Sequence, residues 1–191
     1  TPYLHELVVV HHPDDRKAME AIVQALESVV PIQLVAGGAE RQDSVYQGLI
    51  QLQPCCDIVF VHDGARPFVT KDALERLCSC MRTADGAVLG VPVKDTIKAV
   101  NPDGVIAETL PRSHLYAVQT PQAFRRELLV KAHQQAVAAG YYATDDAALV
   151  ERLGVAVQMV EGDYTNVKVT TPDDLWYGEM LLAREEGREK R

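Results

Sequence analysis

Short β-branched runs alternate with segments of helical period along this chain, and that alternation restricts its fold more than any other feature. Glu6 to His11 reads ELVVVH and stops at Pro13, after which Asp14 and Asp15 are placed to cap a helix. From Arg16 the apolar residues Met19, Ile22, Val23, Leu26 and Val30 recur at helical spacing. A second strand over Ile32 to Val35 runs into Gly37-Gly38, and a second helix is expected from Ser44 to Leu52. DIVFVH, residues 57–62, is continuously apolar, as in strands buried on both faces of a parallel sheet. A helix over Thr70 to Met81 and a strand over Gly86 to Val93 follow.

The rhythm breaks between Lys94 and Gln122. Thr96 to Val100 and Val105 to Thr109 flank the turn Asn101-Pro102-Asp103-Gly104, which predicts a β-hairpin arm. The α/β pattern then resumes with helices over 125–139 and 146–153, closed by Gly140 and Gly154, and a strand over 155–160. A last helix opens at Thr171-Pro172-Asp173-Asp174, and residues 184–191 read as a charged, frayed end. One domain over residues 1–191 is expected, with the arm at about 94–122.

With 19 basic and 27 acidic residues the net charge is −8, which argues against a general phosphate footprint for nucleic acid. An anionic ligand must therefore meet placed cations. No apolar run reaches the roughly 18 residues of a membrane span and no basic segment followed by an apolar stretch opens the sequence, so neither a span nor a secretory signal is expected. A cytosolic protein is expected, or a stromal one without its transit peptide. The cysteines, Cys55-Cys56 and Cys78-Ser79-Cys80, lack zinc or redox spacing and read as structural thiols. His11-His12 reads as a strand-end turn.

In open sheets of this class ligands bind beyond the carboxyl ends of the strands. Three such ends are polar. Gly37 to Ser44 reads GGAERQDS, where glycines admit close backbone approach; taken alone, a turn and a helix cap explain it better. His62-Asp63-Gly64-Ala65-Arg66 puts a carboxylate that could hold Mg²⁺ three residues before a guanidinium that could grip phosphate. Lys94 to Lys98, Arg112 and Gln119-Thr120 collect hydroxyls and cations suited to a phosphorylated polyol. Thr144-Asp145-Asp146 reads chiefly as a helix cap, and Lys168 stands beside a late strand.

Taken in order, GGAERQDSVYQGL, VHDGARPFV, VPVKDTIK, QTPQAF, TDDAALVE and NVKVTTPDDL resemble the 2-C-methyl-D-erythritol 4-phosphate cytidylyltransferases of isoprenoid precursor synthesis, along essentially the whole chain. The resemblance implies a Rossmann-like, mostly parallel, doubly wound α/β sheet of nucleotidyltransferase type, and transfer of CMP from CTP to the sugar phosphate with Mg²⁺. It implies that Gly37, Gly38, Glu40, Arg41 and Ser44 bind CTP, with Gly38 and Ser44 at cytosine and ribose. Asp63 would hold the metal beside the CTP phosphates. Arg66, Thr96, Arg112, Thr120 and Lys168 would meet the sugar phosphate, and Asp63, Arg66 and Lys168 would serve catalysis. The arm would interlock two copies in a homodimer, with Arg112 and Thr96 serving the neighbour's site.

The likeness is incomplete at three places. Family members begin with a strand and a glycine-rich loop carrying arginine and lysine; Thr1 to Glu6 does not match them, so that segment is expected outside this sequence, its strand lying between those at Leu7 and Ile58. A chain without it is expected to fold poorly and be inactive. Tyr164-Thr165 offers no carboxylate ahead of NVK, leaving Asp163 as a weak second metal candidate, and Gly64 stands where alanine is expected. Two rivals stay open at this point: a ribitol-5-phosphate cytidylyltransferase, and a non-catalytic nucleotide-binding dimer module.

Overall fold

The computed structural model describes residues 4–189, with side chains as far as Arg184. Eight strands and six α-helices follow one another as β1 Leu7–His11, α1 Arg16–Ala25, β2 Ile32–Ala36, α2 Arg41–Leu49, β3 Ile58–Val61, α3 Lys71–Cys80, β4 Gly86–Pro92, β5 Lys98–Val100, β6 Ile106–Thr109, β7 Tyr116–Arg125, α4 Arg126–Ala138, α5 Asp146–Glu151, β8 Gln158–Glu161 and α6 Pro172–Glu189. They form two compact units. The first comprises the described residues up to Val61 with Met81–Ala87 and Gln122–Gln158; the second comprises His62–Cys80, Val88–Pro121 and the described residues from Met159. The frayed end read at 184–191 lies mostly outside the described side chains.

In the first unit β1 and β2 pair in parallel, Leu7 opposite Ile32 through His11 opposite Ala36. β3 lies in a different sheet, ordered β3-β7-β4-β8. The two strands between which the resemblance places a further one are thus in separate sheets. Apolar residues here stay exposed: α1 buries none of its residues, and Ile22, Leu26 and Val29 are open to solvent, so the apolar stripe expected from Met19 to Val30 is only half-buried, at Met19, Val23 and Val30. Asp14 and Asp15 sit in a 3-10 turn capped by the His12 ring, which accepts from Asp14 N, and make no side-chain cap on α1.

The interior of the sheet differs from the reading in two respects. β3 is antiparallel to β7, Ile58 opposite Arg125 and Val61 opposite Gln122, and is only partly buried. β4 is the strand buried along nearly its whole length. β7 is the longest strand and the one that propensity conceals, because Gln119, Thr120, Pro121 and Gln122 occupy its middle. Polar groups survive there because each is bonded: Gln122 donates to Asp145 and accepts from Ala147 N. The arm is correspondingly shorter than expected, an antiparallel β5–β6 hairpin with a bulge at Ala99/Val100, since 116–125 belongs to β7.

The C-terminal ends of α4 and α5 and the start of α6 follow the sequence closely. Gly140 and Gly154 take positive φ, 59° and 77°, just beyond α4 and α5. At α6, Thr171 Oγ1 accepts from Asp174 N, and the Asp174 carboxylate accepts from Thr170 N and Thr171 N; these bonds hold its pKa down to about 2. α3 holds Ala73 and Leu77, one turn apart, as fully buried residues. None of the four cysteines is in a disulfide. Burial and the Glu6 carboxylate, to which Cys56 donates at 3.0 Å, push that thiol up to about 12, a structural environment rather than a reactive one. No helix among the described residues is long and apolar enough to cross a membrane.

Candidate active site

In the second unit, the loop after β3, the loop of Lys168 and the middle of β7 meet at Asp63. Asp63 lies just past the end of β3, where the chain turns so that Arg66 N donates to Asp63 O at 2.9 Å. Its Oδ2 is 3.0 Å from Lys168 Nζ, and its backbone N–H donates to Thr120 Oγ1 at 2.9 Å. Thr120 Oγ1 is also 3.1 Å from His62 Nδ1, and His62 Nε2 is 3.0 Å from the Arg66 carbonyl. A carbonyl only accepts, so Nε2 carries the proton and Nδ1 accepts from the threonine hydroxyl. One ordered relay then runs Asp63 N–H, Thr120 O–H, His62 and Arg66 carbonyl.

His62 keeps part of its ring at the surface, yet desolvation by the surrounding loops is the largest influence on it and lowers its pKa from 6.5; the bond to the Arg66 carbonyl only partly opposes this. The neutral ring is the one the relay requires. In the unfolded chain His62 titrates near 6.5, so stability is full above that pH and falls as pH drops toward the lower folded value. Chemical denaturation at pH 7.5 and 5.5 should therefore show a smaller acid loss for His62→Gln than for the unsubstituted chain. Equal losses would remove His62 from the account.

Arg66 Nη1 donates to the Asn166 carbonyl at 2.8 Å, and burial lowers its pKa while Asp63 opposes the shift. Asn166 is fully buried, and the sequence, although it marks the NVK motif, gives this residue no role of its own. Its Nδ2 donates to the Thr120 carbonyl at 2.9 Å and lies 3.4 Å from Gln119 Oε1, so it joins the loop of Lys168 to β7. Nothing local marks it, since its partners lie 46 and 47 residues away. Asp163 is engaged by Thr70 Oγ1 at 2.6 Å and Arg76 Nη2 at 3.3 Å, which leaves it a poor second metal ligand. At the root of the arm Thr96 is exposed and Arg112 Nη1 donates to the Lys94 carbonyl at 2.8 Å; Lys94 Nζ lies over the Tyr164 ring at 3.6 Å.

Gly64 has open space where a side chain would begin, and its backbone is not left-handed. Gly64→Ala should thus raise stability by about 0.4–1 kcal/mol through the unfolded chain. A denaturation midpoint lower than that of the parent would contradict this.

The first unit holds the other group of candidates. Glu40 and Asp43 form a capping box, so α2 begins at Arg41 and not at Ser44 as the sequence suggests. Ser44 instead turns its Oγ back to accept from Gly38 N at 3.1 Å. A side chain at Gly37 would come within 2.7 Å of that Oγ, and one at Gly38 would strike Asp43, so both glycines are required by close approach of loop and helix. Arg41 Nη1 is 2.9 Å from Asp146 Oδ2. Asp145 caps α5, donating nothing and accepting from Ala148 N at 3.0 Å; Asp146 beside it is an ion-pair partner, a role the cap reading overlooked.

The family model for 2-C-methyl-D-erythritol 4-phosphate cytidylyltransferase matches residues 1–184. The chain belongs to that family. A 2-C-methyl-D-erythritol 4-phosphate cytidylyltransferase of Bacillus velezensis is 49% identical over 183 residues, covering 95% of this chain and 78% of its own length. That of Caldanaerobacter subterraneus is 44% identical over 183 residues, covering 95% and 81%. A solved structure from Anaerococcus prevotii, a 4-diphosphocytidyl-2C-methyl-D-erythritol synthase, superposes with a TM-score of 0.88 at 29% identity, covering 94% of this chain and 82% of that one. The α/β nucleotidyltransferase fold expected for the cytidylyltransferase family is the fold observed.

The donor set of this family member suits Mg²⁺. Among the described residues no group of three or more His, Cys, Asp or Glu side chains is placed around a common metal position. A hard cation that keeps several waters and takes the rest of its oxygens from substrate phosphates needs only one or two carboxylates, and Asp63, with a side chain 16% exposed, is the one that would supply it.

Proposed function

We infer that this protein transfers CMP from CTP to 2-C-methyl-D-erythritol 4-phosphate, giving 4-diphosphocytidyl-2-C-methyl-D-erythritol and pyrophosphate for isoprenoid synthesis. The observation that carries this is the family match running through residues 1–184. An oxygen of the sugar phosphate attacks the α-phosphorus of CTP as the bond from that phosphorus to the β-phosphate oxygen breaks, and pyrophosphate leaves. The attacking group is already anionic, so the protein aligns the two phosphates and neutralises charge rather than moving a proton.

Gly37, Gly38 and Ser44 receive the cytidine, with Glu40 and Arg41 shaping the first turn of α2 behind them. Asp63 would hold Mg²⁺, which when bound offsets phosphate charge. Lys168 serves the α-phosphate. Its pairing with Asp63 at 3.0 Å supports this, because the pair keeps the ammonium in one place until phosphate draws it away. Arg66 grips the sugar phosphate, and Thr120 acts mainly by fixing Asp63 and His62.

The arm pairs two copies of the chain, supported by Val100, Val105 and Ile106, which are 56–58% exposed on the hairpin. Thr96 and Arg112 then complete the partner's sugar-phosphate site. Arg112→Ala should raise the half-saturating methylerythritol phosphate concentration at least about tenfold, the worth of a charged hydrogen bond, with CTP affinity retained. Equal weakening of both ligands would contradict the assignment. Four cysteines without a disulfide suit a reducing compartment, cytosol or plastid stroma, where we place the reaction.

The reading is tested by pyrophosphate release from CTP and Mg²⁺ with methylerythritol phosphate or ribitol 5-phosphate as acceptor. Release with the first acceptor alone is expected. Release with ribitol 5-phosphate alone, or with neither, would overturn it.

A further inference from the structure

A buried carboxylate lies beneath the first turn of α2, and the reaction as described does not use it. Asp146, at the start of α5, is 1% exposed; its Oδ2 meets Arg41 Nη1 at 2.9 Å and its Oδ1 meets His133 Nε2 at 3.0 Å. His133, on α4, is fully buried and stacks on Tyr46 of α2, ring centroids 5.7 Å apart and planes inclined by 13°. Its Nδ1 is buried without a partner. A stranded acceptor costs less than a stranded N–H, so the proton sits on Nε2 and is donated to Asp146.

Burying the carboxylate of such a pair is not an economical route to stability, since well-packed apolar residues commonly do as well. What it provides is direction. The Arg41 side chain leaves the first residue of α2, three residues from Ser44, whose Oγ fixes Gly38. The two residues after Arg41 are tied to the same stretch of chain as Asp146. Gln42, 6% exposed, donates to the Tyr141 carbonyl at 3.0 Å and accepts from Ala143 N at 2.9 Å. Asp43, which closes the capping box, lies 3.4 Å from Tyr142 Oη. Three successive residues of the turn are thus mounted on residues 141–146, and only the Arg41 contact is ionic and backed by a second buried group.

We propose that Asp146, oriented by His133, is a positioning residue for nucleotide recognition: by holding Arg41 it sets the register of α2 against the Gly37-Gly38 loop, and so the shape of the CTP site. Asp146 acts through Arg41 and touches no reacting atom. This rests on the cytidylyltransferase reading, so the unsubstituted protein is assayed first; failure to release pyrophosphate would refute that reading and leave the positioning claim to be decided by CTP binding alone.

The test is Asp146→Asn in the intact protein, with CTP affinity measured by calorimetry, steady-state constants for both substrates, and the melting temperature. The expected result is a CTP dissociation constant raised roughly tenfold, with the half-saturating methylerythritol phosphate concentration within about twofold of the parent. A CTP constant raised less than about fivefold, or equal weakening of both substrates, overturns the proposal. If Asp146→Asn does not fold, Asp146→Leu combined with Arg41→Met removes both charges together. That pair should restore the melting temperature but leave CTP weakened about fivefold or more, because apolar packing lacks the direction of the ion pair. Recovery of CTP affinity along with stability would show a merely structural role.

Discussion

Asp63→Asn is expected to lower turnover by roughly 10²–10³-fold, the usual cost of removing one placed electrostatic group, while the chain stays folded. The carboxylate is the group proposed to carry Mg²⁺ and the one that pairs with Lys168 at 3.0 Å. Asparagine keeps its size but neither its charge nor its affinity for a hard cation. Folding should survive because the bond linking this position to Thr120 comes from the backbone N–H, which the substitution leaves in place. The Lys168 side chain is 44% exposed and can return to water, so loss of the ion pair itself costs at most about 1 kcal/mol. Turnover within about threefold of the parent at saturating Mg²⁺ would remove Asp63 from the mechanism.

Asn166→Ala should have the largest effect on stability, about 2–3 kcal/mol, because it strands a buried carbonyl and opens a small cavity. Asn166 is fully buried and donates to the Thr120 carbonyl at 2.9 Å, while its own carbonyl accepts from Arg66. The substitution leaves that carbonyl in place but frees the backbone that carries it. Arg66 should then lose its fixed aim, and sugar-phosphate binding should weaken more than CTP binding. At roughly 2–4 °C per kcal/mol for a chain of this size, the melting temperature should fall by about 4–12 °C. A fall of less than about 2 °C, or a selective loss of CTP, would show that the residue does not join these loops.

Features with local causes were legible in the sequence. Gly140 and Gly154 close their helices, Thr171 to Asp174 opens α6, and Asn101 to Gly104 turns the arm, because each is decided by residues within one turn of one another. The loops bearing Gly37-Gly38 and Asp63 were found by their place after apolar runs. What escaped has distant partners. β7 reads as polar until its Gln122 is seen bonded to Asp145 and Ala147, 23 and 25 residues on. Asp146 reads as part of a cap because Arg41 lies 105 residues away. The start of α2 was misplaced by three residues because Ser44 resembles a cap, whereas Glu40 and Asp43 perform that task and free the hydroxyl for Gly38.

The central claim is that the chain joins two phosphates rather than hydrolysing one. Phosphorus NMR of a reaction holding CTP, Mg²⁺ and 2-C-methyl-D-erythritol 4-phosphate tests it directly. Two mutually coupled phosphorus signals of a new diphosphate, growing in step with free pyrophosphate, are the predicted result. CMP with the sugar phosphate left unchanged, or no change in the spectrum, would contradict the account.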